Sequence, residues 1–188
     1  MPSTSFGGAG GRRGRYGTGW DSKVMANSKK VAYCAMLTAL SMIFSYIEAL
    51  IPLSVGIPGI KLGLSNLVVV SGLYFMPAGW VFLVLVLKVT LVSFLFGNLS
   101  MLIYSMAGGV FSFFVMLVIK RIKGFSMIGV SMAGGVSHNI GHLVVAMLTV
   151  ESVAPLSYMP VLIVAGAVAG IAIGAVAYRV RKLIGRVV

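Results

Sequence analysis

The residues best equipped for chemistry in this chain of 188 residues are polar groups set inside apolar runs. Ser137-His138-Asn139-Ile140-Gly141-His142 places two imidazoles at i and i+4. They lie one turn apart on a common helical face, with Asn139 on the neighbouring one. Such a pair can bind a transition metal when a third ligand joins it, and Glu48 or Glu151 would have to supply that ligand. The simpler reading is a hydrogen-bonded polar patch lining an outward cavity. Lys88 stands near the middle of another apolar run, with no acidic residue close in sequence. A lysine at that depth must snorkel, lose its proton or find a partner, and it marks a ligand or ion path more often than an accident of structure. Glu48 and Lys61 belong to EALIPLSVGIPGIKLGLSN, Glu48 to Asn66. There Pro52, Gly56, Pro58 and Gly59 forbid a continuous helix. A broken, charged turn at a membrane boundary has a ligand, a partner or water as its reason, or else is a plain loop with an incidental Glu–Lys pair.

The elements that must position these groups follow from composition. With 59% hydrophobic residues, 10% charged residues and a mean hydropathy of +1.06, a soluble core is excluded and an all-α integral membrane protein is expected. The net charge of +12 invites a nucleic-acid partner. Its distribution argues against one, because all Lys and Arg except Lys61 and Lys88 fall in three blocks: the N-terminal tail, Lys120–Lys123 and Arg179–Arg186. Blocks flanking apolar runs are topology signals and contacts for anionic membrane lipids. The single cysteine, Cys34, sits in an apolar segment and reads as a small buried residue.

Residues 1–28, rich in Gly, Ser and Arg, are expected to be a disordered cytoplasmic tail, and 29–188 a six-helix membrane domain. Six spans are predicted at Val31–Ile51, Leu62–Phe75, Ala78–Phe96, Met101–Ile119, Ser126–Val150 and Tyr158–Tyr178, the second short and partly broken. An even number puts both termini on one side. All three basic blocks then share that side, so both termini are expected to be cytoplasmic and the protein multi-pass in the cytoplasmic membrane. Gly166, Gly170 and Gly174, at i, i+4 and i+8, form a ridge for close helix packing within the chain. Ala32, Ala35 and Ala39 make a similar small face on the first span.

Glu48-Ala-Leu-Ile-Pro52, Pro58-Gly-Ile-Lys-Leu-Gly-Leu-Ser-Asn66 and the later His138-Asn-x-Gly141 resemble the Gx transporter family, also described as heptaprenyl diphosphate synthase component I. The resemblance covers roughly residues 29–185. It implies a substrate-binding S component of an energy-coupling factor (ECF) transporter, with six helices and both termini cytoplasmic. Its partners would be a transmembrane coupling subunit and ATPase subunits, and the face of Ala32, Ala35 and Ala39 would dock the coupling subunit. It also implies an amide at the position of His142, where this chain departs from the pattern. The ligand-binding set expected from residues and resemblance together is Glu48, Lys61, Asn66, Lys88, His138, Asn139 and His142. These should converge on one outward-opening cavity that takes a small organic molecule. Flavin, thiamine-like vitamins, isoprenoid precursors and quinone head groups all suit its mixture of polar and apolar groups.

Two further roles are compatible with the sequence: a membrane component of flavin- or quinone-linked extracellular electron transfer, with electron-transfer partners, and a non-catalytic accessory to a prenyl diphosphate synthase. Catalysis by the chain itself is not expected. Its acidic residues are only Asp21, Glu48 and Glu151, never adjacent, whereas diphosphate chemistry needs acidic clusters to hold Mg²⁺. There is also no GxxxxGK[ST] loop for ATP hydrolysis, no ligand set for haem or iron–sulfur centres, and no metal site complete in sequence.

Overall fold

The computed structural model describes residues 19–50 and 63–184. Among these there is no strand. The helices are α1 (Gly19–Leu50), α2 (Leu64–Phe75), α3 (Ala78–Phe96), α4 (Leu99–Arg121), α5 (Met127–Val150) and α6 (Met159–Ile184), with a 3₁₀ turn at Ala154–Tyr158 before the last. Five of them are long and apolar enough to cross a membrane. The protein is a multi-pass α-helical membrane protein.

Turn chemistry sets the boundaries. Pro77 supplies the N-cap of α3, where its missing N–H costs nothing. The Asn98 side chain accepts from Met101 N at 2.8 Å and starts α4, and Ser126 Oγ accepts from Gly129 N at 3.2 Å and starts α5. α1 begins at Gly19, and its membrane-length apolar part starts at Ser28. The second span, expected to be short, is the 12 residues of α2. At 1.5 Å per residue it covers about 18 Å, against the roughly 30 Å of a hydrocarbon layer. Gly63, the residue before it, has φ 71°, a left-handed turn that ends the helix there and favours glycine.

α2, α3, α4, α5 and α6 close a ring of successive neighbours, α2 packing back on α6, and α1 lies outside it against α2 and α3. The α5–α6 seam is the tightest. A Cβ added to Gly166, Gly170 or Gly174 would meet the α5 backbone at Gly135, Met132 or Ile128 within 2.6–2.7 Å. The glycine ridge therefore serves packing within the chain. One end of the ring carries the basic residues of α4 and α6 and is called the basic end. Its interior is apolar and fully packed, by Val69, Leu73, Val81, Phe113, Val130 and Ala177 among others.

Candidate functional site

The cavity lies in the other half of the ring, toward the far end. It has a volume of about 200 Å³, and each helix contributes to its lining. Its floor is the top of the packed half, made by Val70, Leu85, Met116 and Ile173. The last turns of α1 present Ser45 and Glu48 to the cavity, beside Gly63 at the start of α2.

Lys88 comes from the middle of α3 and is 6% exposed. Its ammonium donates to Ser65 Oγ at 3.0 Å and to Asn66 Oδ1 at 3.3 Å, both in the first turn of α2. Placing a charge there costs several kcal/mol unless polar groups surround it, and the first turn of α2 supplies two. Glu48 binds the same turn from the other side: its Oε1 accepts from Gly63 N at 2.5 Å. A carboxylate at a helix N-terminus is favourably placed against the partial positive charge there. Oppositely charged side chains from α1 and α3 thus meet on the start of one short helix.

α5 brings His138, Asn139 and His142 to the opposite wall. The two imidazole rings lie 4.5 Å apart between centroids at 42°, and Tyr104 of α4 approaches His142 at 6.3 Å. Gly108 makes room for this, since a Cβ at that position would collide with the His142 ring. Asn139 Nδ2 donates to Leu162 O of α6 at 2.7 Å, so its amide ties the α5–α6 seam as well as facing the cavity.

Of the seven expected ligand-binding residues, Glu48, Asn66, Lys88, His138, Asn139 and His142 all line this one cavity, and Lys61 lies outside the described residues together with Pro52, Gly56, Pro58 and Gly59. Glu151 does not reach it. That residue is the exposed C-cap of α5 at φ 49°, which removes it as a third ligand for the histidine pair. Among the described residues no three His, Cys, Asp or Glu side chains gather as a metal site would require. Sequence reasoning missed the hydroxyls. Ser65, Ser93 and Ser105 line the cavity, and Ser93 Oγ, on a residue 3% exposed, has no hydrogen-bond partner among the described residues. The available signal was position: Ser65 precedes Asn66, and Ser93 lies further along the Lys88 helix toward the far end.

Comparison with known proteins decides the family. Residues 37–180 match the family described as heptaprenyl diphosphate synthase component I. The chain belongs to that family. The match spans the chain from α1 to α6, so the component I family's core includes every described wall of the cavity. No curated protein and no solved structure matches this component I chain.

Proposed function

We propose that this component I protein is the substrate-binding S component of an ECF-type transporter, holding a small organic molecule in the cavity for uptake driven by separate ATPase subunits. One observation carries the reading: six polar residues from α1, α2, α3 and α5 meet in a cavity that the packed basic half closes from below. A polar cavity plugged on the basic side is what a capture protein needs before a partner moves it. In this reading the basic end is cytoplasmic, since Lys and Arg stay on that side, and the cavity opens outward.

The cavity of about 200 Å³ suits a small organic ligand. Its polar group would sit between Lys88 and the histidine pair, and its apolar part on the Val70–Leu85 floor. The α1 face of Ala32, Ala35 and Ala39 is exposed and directed away from the ring, which suits a docking surface for the transmembrane coupling subunit.

The family description also names a prenyl synthase component. The dispersed acidic residues favour an accessory rather than a catalytic part in any such assembly. The test is mass spectrometry of small molecules that copurify with the detergent-solubilised protein. One compound enriched in wild type and lost in Lys88→Met is the expected result. A wild-type protein that carries nothing beyond an unrelated membrane-protein control would count against capture and in favour of the accessory role.

A further inference from the structure

The cavity leaves one polar cluster unused, and it is at the opposite end of the molecule. Tyr74 closes the last turn of α2. Lys120 Nζ from α4 lies 4.8 Å from the centre of its ring, and the Arg181 guanidinium carbon from α6 lies 5.1 Å from it. Lys120 also donates to the Leu73 carbonyl, which holds the ammonium in place at the end of α2.

Capping explains only half of this. A lysine on the final carbonyls of α2 complements the negative end of that helix. Arg181 is not needed for that, and it belongs to the last turn of its own helix. Two cations drawn onto one ring repel each other, and the ring offsets only part of that repulsion. Of the three acidic residues, Glu48 and Glu151 lie at the far end and the side chain of Asp21 lies outside the described residues. An anion seated between ammonium and guanidinium would complete the arrangement, and the planar fork of Arg181 suits phosphate oxygens in pairs. Close in sequence to the three polar groups, Phe75, Ile122 and Tyr178 present exposed apolar surface at the same end of the bundle.

We propose that Tyr74, Lys120 and Arg181 form a binding site for the phosphate headgroup of an anionic phospholipid, with its acyl chains lying along the apolar surface that begins at those neighbours. A free phosphate would satisfy the cations but leave that surface unused. The site stands on the fold and the basic end alone, independently of what the cavity binds.

Native mass spectrometry of the full chain in detergent tests it, with phosphatidylglycerol, phosphatidylcholine of the same acyl length and inorganic phosphate as probes. At roughly 1 kcal/mol for each of the two cations near a membrane surface, wild type should retain phosphatidylglycerol about thirtyfold better than phosphatidylcholine. Arg181→Gln should lower that preference about fivefold. Arg179→Gln, the same charge change on the same helix but away from Tyr74, should leave it intact. Equal retention of the two lipids by wild type overturns the site, and that arm needs no variant to fold. Equal losses in both variants overturn it too, because the charge would then act diffusely. Displacement of the glycerolipid by inorganic phosphate would assign the cations to a free anion and overturn the lipid reading.

Discussion

At the basic end, Val69, Leu73, Val81, Phe113 and Val130 fill the ring with branched and aromatic side chains, and the buried Ser112 hydroxyl is satisfied by the Gly134 carbonyl. At the far end the same helices turn Asn66, Lys88, Ser105, His138 and His142 inward around open space. The helices do not change character at their surfaces, where apolar residues face outward at both levels. What changes is the inner face, and the change falls midway along α2, at Val70. Lipid offers no hydrophobic drive for helix association, so close packing has to hold the bundle, and the packed half supplies it. The far half can therefore give up packing for polar groups. A membrane protein divided in this way carries its stability and its chemistry at different depths, and substitutions should separate the two.

The largest effect is expected at the seam both halves share. Gly170→Leu would drive a side chain into the α5 backbone, where even a Cβ would lie 2.6 Å from Met132 Cα and Ser131 O. Neither atom can rotate away. The variant should give no monodisperse peak in detergent size-exclusion chromatography, and a normal peak would mean that the α5–α6 packing is not what holds the bundle. Next comes Leu73→Ala, 2% exposed in the packed half and remote from the cavity. Its cost should be about 2 kcal/mol, the low end of the range for buried Leu→Ala, because lipid contributes no transfer term. Thermal unfolding in detergent reads it. Ligand binding per folded molecule should stay as in wild type, and a matching loss of binding would break the division of labour.

Lys88→Met should do the reverse. Hydrogen bonds to a charged group are worth about 1.5–3 kcal/mol, so losing them should weaken binding of the copurifying compound at least tenfold. The melting temperature should change little, because removing the buried charge offsets the loss of its hydrogen bonds to Ser65 and Asn66, which stay in place. A large fall in melting temperature at unchanged binding would make Lys88 a structural lysine. Asn139→Ala sits between the classes, since its amide donates to Leu162 O and also lines the cavity. It should lose about 1 kcal/mol of stability and only a few-fold in binding.

Much of this was legible in the chain itself. Pro77 and Gly97-Asn98 mark the ends of α3 because proline and glycine act locally, whatever the fold. Lys88 and His138 stand out since charge and imidazole are costly in lipid wherever the helices go. Less visible were features that depend on several elements at once. Glu48 meets Gly63 at the start of α2, and no periodicity in α1 reveals that its end reaches a cavity formed by other helices. Ser65 and Ser93 are ordinary serines by sequence, because a hydroxyl can bond its own helix and be silent. The Tyr74 cluster was hidden for the same reason. Lys120 and Arg181 read as topology signals until the ends of α2, α4 and α6 bring both cations onto the Tyr74 ring.

The smallest effect on the isolated protein is expected at α1, which belongs to neither half of the ring. Its inner side buries Cys34, Thr38 and Ser41, while Ala32, Ala35 and Ala39 face outward and are exposed. Leucine at Ala35 and Ala39 adds bulk where the chain itself offers nothing to strike, so melting temperature and ligand binding should both match wild type. In a membrane, however, a face of small residues allows a second backbone to approach, and leucine holds it off. Coexpressed with coupling and ATPase subunits, the doubly substituted protein should therefore fail to copurify with them while keeping its ligand. Substituting Val31 and Met36, also exposed on α1, by Ala would remove bulk instead and should leave copurification intact. If the leucine variant still assembles, the outward face of α1 is a lipid contact and the coupling subunit must dock elsewhere. If it loses ligand as well, α1 is not the separate element that its position outside the ring implies.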